Sequence, residues 1–276
     1  MIPFSVLMSV YQNDKAPDVS DALDSVLRQT VKPDQIVLVL DGPVPDQLRS
    51  TIERYADENG VLELVPLEEN VGLGKALNAG LAYCRNEYVA RMDSDDLSLP
   101  DRFEKQLSYL EAHPETDVLG GQIAEFDSAM EKELAVRSVP ISMEEIAERM
   151  KTRNGMNHVT VMYRKSAVLA AGNYQHCPYF EDYYLWCRMI KAGYRFHNLD
   201  SVLVNVRTGE GMYQRRGGKA YNEAIKGFQK KILDLGMIGR GRYWINLAVR
   251  LSVANMPNAL RGYLYKTKLR TKSKDR

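Results

Sequence analysis

Three carboxylates fall within four residues at Asp93-Ser94-Asp95-Asp96, directly after the apolar, β-prone run Tyr88-Val89-Ala90-Arg91-Met92. Two carboxylates ~5 Å apart repel by ~3 kcal/mol at an effective dielectric of 20. Such a cluster is stable as a fully solvated turn or as a site for a cation. Hard divalent ions such as Mg²⁺ and Mn²⁺ take carboxylate oxygens and share them with substrate phosphates. Position adds to composition, because open α/β sheets bind ligands beyond the carboxyl ends of their strands.

A second acidic pair, Glu181-Asp182, opens a segment rich in aromatics: Phe180, Tyr183, Tyr184 and Trp186. A carboxylate there either gains from a helix N-terminus or serves as a general base in an aromatic-walled cleft. An aspartate is ionised at neutral pH and can accept a proton. Asp41-Gly42 ends another apolar run. In Asn70-Val71-Gly72-Leu73-Gly74 the third glycine of a dinucleotide fingerprint is missing, and the phosphate-loop pattern is absent from the chain. Gly72 and Gly74 serve equally well as turn residues, and Asn70 and Asn78 as loop bridges or nucleotide ligands. His158 is a structural hydrogen-bonding group or a ligand. Arg207, Arg215 and Arg216 supply planar forks for phosphate oxygens, or a solvated basic loop.

These residues need a frame. The apolar run Phe4 to Val10 reads as a strand buried on both faces. Val19, Ala22, Leu23, Val26 and Leu27 recur at helical spacing. Ile36 to Leu40 is a second strand, 46–59 a helix, 61–66 a strand, Lys75 to Cys84 a helix, and Glu87 to Met92 the strand that feeds the acids. This alternation predicts a parallel, doubly wound sheet over the first 100 residues. Beyond it the pattern is mixed. Helices are expected over 100–112, 142–150, 165–171, 180–192 and 219–235, with two further helical stretches after them. Strands are expected over 116–126, 158–163 and 202–206, with a bend at Gly120-Gly121.

The chain has 276 residues, 45% hydrophobic and 26% charged, as in ordinary soluble domains. Its net charge of +1 is unevenly spread: residues 239–276 carry ten Lys/Arg against Asp275 alone, and the rest carries 27 Lys/Arg against 35 Asp/Glu. A basic tail on an acidic body points to an anionic surface. Trp244, Leu247, Ala248 and Leu251 are expected on one helical face beside those charges, as in an interfacial helix. No nucleic-acid-binding pattern accompanies the basic residues. Cys84, Cys177 and Cys187 have no zinc-like spacing and suit buried thiols in a reducing cytoplasm. No signal peptide and no apolar run long enough to span a bilayer is evident.

The succession FSVLMSVYQND, VLVLDG, NVGLGKALNAGL, YVARMDSDDLSLPDRF and FEDYYLWCRM resembles the inverting family 2 glycosyltransferases of the GT-A fold, over roughly residues 3–207. The segment VNVRTGEGMYQRRGG and the basic C-terminal helices are similar to the branch that builds bacterial exopolysaccharide, capsule and O-antigen units, including amylovoran-type transferases.

The resemblance implies an α/β GT-A architecture: a Rossmann-like nucleotide-binding half with a mixed central sheet, and a C-terminal helical extension. It places a transferase domain at 1–212, with a nucleotide-sugar half (1–100) and an acceptor half (101–212), and a basic helical extension at 213–276. Ser9, Tyr11, Asp41, Asn70, Gly72, Lys75, Asp93 and Ser94 would bind the donor. Asp95, with Asp93 and Asp96, would hold Mn²⁺ or Mg²⁺. Asp182 would be the catalytic base. His158, Glu181, Trp186, Arg207, Arg215 and Arg216 would face acceptor or diphosphate, while Arg102 reads as structural. The chain departs from many relatives at Leu40-Asp41-Gly42-Pro43, where they have two acids and a serine, and it lacks their basic QxxRW element. The implied activity is transfer of a sugar from a nucleotide-diphosphate donor, UDP-linked, to a glycan acceptor on a polyprenyl diphosphate. The implied setting is the cytoplasm, at the inner face of the bacterial plasma membrane. Two other functions share these residues: a non-catalytic nucleotide- or carbohydrate-binding module, and a nucleotidyltransferase.

Overall fold

The computed structural model describes residues 2–208 and 217–257. Strands β1 (Phe4–Val10), β2 (Gln35–Leu40), β3 (Leu62–Pro66) and β4 (Tyr88–Arg91) pair in parallel in the order β3-β2-β1-β4. Helices α1 (Ala16–Leu27), α2 (Asp46–Glu58) and α3 (Leu73–Tyr83) connect them. The near-continuous apolar runs follow from burial on both faces. Leu7, Val37 and Val39 enter one core with Leu77 and Leu81 of α3, whereas Val6, Met8, Ile36 and Leu38 enter the other with Val19 and Leu23 of α1. Gly80 lets α3 lie close to the sheet. A Cβ there would meet Val39 at 2.5 Å and Leu7 at 2.6 Å.

The sheet turns mixed past β4. β8 (Met162–Arg164) pairs antiparallel with β4 and with β6 (Val118–Phe126). β6 pairs in parallel with β9 (Phe196–Arg207). β5 (Leu97–Ser98) lies antiparallel on β9, and β7 (Glu133–Arg137) antiparallel on β6. Helices α4 (Arg102–Ala112), α5 (Met143–Met150), α6 (Lys165–Ala170) and α7 (Glu181–Lys191) cover this half. α8 (Gly218–Asp234) and α9 (Arg240–Ala254) follow. α5 begins with a capping box between Ser142 and Glu145.

Two local expectations need correction, and two further features are added. Residues His158–Thr160 form a 3₁₀ turn, and the strand begins only at Met162. The last strand begins at Phe196, well before 202. β5 and β7 are short or exposed, with too little apolar alternation to be read in advance. Gly120 and Gly121 serve close approach: a Cβ on Gly120 would meet Asn198 Oδ1 at 2.3 Å, and one on Gly121 would meet Leu203 at 2.5 Å. The β6–β9 register slips just after Gly121.

α8 packs through Phe228 onto Phe180 and Tyr183, at ring separations of 4.7 and 4.5 Å. On α9, Leu247 and Leu251 face the core, so they do not share an outward face with Trp244. The exposed apolar residues are Trp244 (65%), Ile245 (57%) and Val249 (58%). No described helix is long and apolar enough to cross a membrane.

Candidate active site

Strands β1, β2 and β4 end on the same edge of the sheet, and each hands over to a polar loop. At the end of β4, Arg91 is buried, and its guanidinium pairs with Asp93 and donates to Leu7 O at 3.4 Å. The buried Arg102 ties the strand's end from the other side, donating to Arg91 O at 2.8 Å and to Gln106 Oε1 at 3.0 Å. Burial without a carboxylate partner, with Arg91 nearby, pushes Arg102 down to about 9. Its role is structural.

Asp14, at the end of β1, joins the acidic loop. Its Oδ2 accepts from Tyr11 N–H and from Ser94 Oγ–H, both at 3.0 Å. Loss of solvation raises its carboxyl, and the charges of Asp93 and Asp18 add to that. The Asp95 carboxyl is pushed up to about 6, first by desolvation in the loop, then by repulsion from Asp93 and Asp14. Asp96 is buried and is raised by desolvation, then by repulsion from Asp93 and Asp95; its Oδ1 accepts the backbone N–H of Arg207 at 2.8 Å.

Asp41, expected at the donor, and Asn78, left open as ligand or bridge, both have partners within the fold. Asp41 is buried, and its carboxylate accepts Val71 N–H at 2.7 Å, Gly72 N–H at 3.1 Å and Asn70 Nδ2–H at 3.1 Å. It thereby caps the loop that starts α3, whose own first residues offer no side-chain cap. Gly42 makes this possible: its φ is +83°, and a Cβ would meet the Asn70 backbone nitrogen at 2.5 Å. Asn78, read as ligand or bridge, is a bridge. Its amide donates to Tyr174 O at 2.7 Å and accepts Tyr174 N–H at 2.9 Å.

The second cluster lies around the start of α7. Asp182 Oδ2 accepts from Asn154 Nδ2 at 2.7 Å. Glu181 packs over the first turn of α3, where a Cβ on Gly74 would meet its Cγ at 2.8 Å. Desolvation raises the Glu181 carboxyl. His158 Nε2 lies 3.0 Å from Tyr174 Oη. Burial holds its imidazole below the usual range, against the pull of Asp182. The charges of Arg91 and Asp93 act on His158 as well.

The structure therefore brings Asp93, Ser94 and Asp95 together with Tyr11 and Asp14, beside Ser9 at the end of β1. It places Lys75 exposed in the first turn of α3, next to Gly72. Two expected ligands are corrected. Trp186 is fully buried among Tyr163, Phe196 and His158 and forms core, not a cleft wall. The Arg207 guanidinium is taken by Asp18 at 3.5 Å, Asp21 at 3.3 Å and the carbonyls of Asp95 and Ser128, at 3.0 and 2.8 Å, so it braces the acidic loop. Asp96, also expected at the metal, is buried and gives Oδ1 to the Arg207 backbone N–H, which leaves Oδ2 as its second oxygen. Arg215 and Arg216 lie outside the described residues. Sequence reading missed Asp14, Arg91 and Asn154. The rule that flagged Asp41, an acid just beyond an apolar strand, applies to Asp14 as well. An arginine inside the apolar run was a signal for Arg91. Asn154 carried none.

Among the described residues no three acid, histidine or cysteine side chains converge as ligands. A site shared with substrate phosphates needs only one or two carboxylates. Asp93 and Asp95 meet that requirement with hard oxygen donors whose mutual repulsion a divalent cation relieves.

Residues 5–170 match the model of glycosyl transferase family 2. The chain is 41% identical over 262 residues to the amylovoran biosynthesis glycosyltransferase AmsE of Erwinia amylovora, covering 95% of this chain and 97% of that one. It is 33% identical to the Escherichia coli UDP-Gal:alpha-D-GlcNAc-diphosphoundecaprenol beta-1,3-galactosyltransferase, covering 97% and 96%. Among solved structures, S. aureus TarS 1-349 in complex with UDP-GlcNAc superposes with a TM-score of 0.66 at 21% identity, over 97% of this chain and 77% of that one. The mannosyltransferase PcManGT of Pyrobaculum calidifontis, in complex with GDP-Man and Mn²⁺, gives 0.62 at 16% identity, over 97% and 82%. The fold is thus that of the GT-A glycosyltransferases.

Proposed function

Because this chain belongs to glycosyl transferase family 2 and is a glycosyltransferase, we propose that it moves a sugar from a UDP-sugar to a hydroxyl of a polyprenyl-diphosphate-linked glycan, with inversion, in bacterial surface polysaccharide synthesis. The observation that carries this reading is the pairing of two sites. Paired carboxylates sit at the strand ends, and a separate carboxylate, Asp182, is held by one amide at the start of α7. The relative that acts on a diphosphoundecaprenol-linked sugar supports the acceptor class, and the neighbour bound to UDP-GlcNAc supports the donor.

In this reading Ser9, Tyr11 and Ser94 line the donor pocket, with Lys75 at its edge. Asp41 serves the donor indirectly, by holding the 70–72 loop. Asp93 and Asp95 would hold Mn²⁺ or Mg²⁺, which supplies charge neutralisation for the leaving diphosphate. Asp182 removes the proton of the acceptor hydroxyl as its oxygen attacks the anomeric carbon. A positioned base contributes ~10²–10⁴-fold, so Asp182→Asn should lose at least that much kcat while keeping donor affinity. Turnover near wild type would reject the role. The donor site is tested by thermal unfolding with UDP, GDP, TDP and CMP, each with Mn²⁺ or EDTA. A ligand at 100 times its Kd adds ~2.7 kcal/mol. A metal-dependent rise with UDP alone is expected, and no rise with any nucleotide would overturn the donor assignment.

A lipid-linked acceptor calls for contact with the membrane. The outward face of α9 supports it. Trp244, Ile245 and Val249 are exposed beside Arg240 and Arg242, and residues 258–276 add Arg261, Lys266, Lys268 and Arg270 in sequence. Such faces seat in the headgroup region of anionic leaflets, at ~1 kcal/mol per basic residue. The protein should sediment with phosphatidylglycerol vesicles at low salt. The triple change Trp244→Ser, Ile245→Ser and Val249→Ser should release it. A wild-type protein that stays in the supernatant would exclude this contact.

A further inference from the structure

We propose that Asn154 is a positioning residue that sets the orientation of the Asp182 carboxylate. The proposal rests on the reading of Asp182 as the base. Asn154 Nδ2 donates to Asp182 Oδ2 at 2.7 Å, and Asn154 Oδ1 accepts Met156 N–H at 3.1 Å. The second bond decides the first. A backbone N–H only donates, so it must face the amide oxygen, and the amide nitrogen is then left for the carboxylate. With Oδ2 engaged, Oδ1 is the oxygen that receives the proton.

The loop that carries Asn154 is itself pinned. Asn246 of α9 donates to Lys151 O at 2.8 Å, and Arg250 donates to Thr152 O at 2.8 Å. The Arg250 guanidinium also lies over the rings of Phe180 and Tyr183, at 5.7 and 5.8 Å, which flank the acidic pair at the start of α7. Tyr183 Oη donates to Met150 O at 2.7 Å. One guanidinium and one phenol therefore fix the loop and the helix start against each other, and Asn154 spans the gap between them. Other groups within electrostatic reach of Asp182 are Glu181, His158, Tyr174, Cys177, Tyr183 and Cys187. Among the described residues Asn154 is the side chain that hydrogen-bonds its carboxylate.

The test compares Asn154→Ala, Asn154→Asp and Asp182→Asn in steady-state kinetics across pH, with thermal unfolding as a check on folding. Misplacing a reacting group by about 1 Å costs up to ~100-fold. Asn154→Ala should therefore lower kcat by about 10- to 100-fold with donor KM unchanged. In Asn154→Asp two carboxylates meet at the same distance and share a proton, so the acidic limb of the kcat profile should move up by at least about one unit. A merely structural asparagine would lower the melting temperature and leave the kcat of folded Asn154→Ala at the wild-type value, which overturns the proposal. If Asp182→Asn keeps wild-type turnover, the base assignment itself fails. If Asp182→Asn is inactive and Asn154→Ala keeps the wild-type kcat, only the role of Asn154 fails.

Discussion

Removing the Asp41 carboxylate should destabilise the protein in the absence of any ligand. In Asp41→Ala the N–H groups of Val71 and Gly72 lose their acceptor, as does the Asn70 amide. A buried donor left without a partner costs about 1–3 kcal/mol. Val71 and Gly72 are only half-buried, so water reaches them in part and the low end applies. Asn70 is exposed and adds little. The loss is then about 2–3 kcal/mol for the two backbone donors. A protein of this size loses roughly 2–4 °C per kcal/mol, so the melting temperature should fall by about 5–10 °C, measured by calorimetry without nucleotide. Asp41→Asn should recover little, because its amide nitrogen would face one of the two N–H groups. A ligand-free melting temperature within about 1 °C of wild type would refute the capping argument and return Asp41 to direct contact with the nucleotide.

Gly42→Ala should cost more than most surface changes. The left-handed backbone costs an alanine about 1–2 kcal/mol, and its Cβ would overlap the Asn70 nitrogen; a denaturation midpoint equal to wild type would count against the fit. Asp95→Asn should stabilise the metal-free protein at pH 7.5. The raised carboxyl binds its proton more tightly when folded, so stability is lost as pH rises through about 6. The difference from wild type in EDTA should therefore grow from about pH 4 to 6 and hold above it, and a difference that is flat with pH would contradict the sign. Arg250→Ala should lower stability by about 1–3 kcal/mol through the lost bond to Thr152 and the lost ring contacts. It should also lower kcat through Asn154, and an unchanged kcat would uncouple α9 from the base.

The strand ends were legible in sequence because burial on both faces requires unbroken apolar runs. The residues that interrupt them, Asp14, Asp41 and the acids after Met92, mark where the chain leaves the sheet. The capping box of α5 and the glycine that starts α3 are likewise local, set by backbone geometry within a few residues. The paired acids at 93–95 and the acid at the head of α7 therefore stood out from type and spacing alone.

Tertiary structure decided what each of those groups is bonded to. Asp41 and Arg207 both carried the right chemistry for a phosphate or nucleotide, but hydrogen bonds to partners about 30 to 190 positions away occupy them. Trp186 has the composition of a cleft wall and lies wholly in the core, because its helix turns that face inward. Asn154 and Asp182 are 28 positions apart and meet only because α9 and Tyr183 hold the intervening loop against α7. Local sequence sets charge, period and backbone freedom, which act over a few residues. Which polar groups satisfy one another in a buried site depends on packing between distant segments, and no local pattern encodes that.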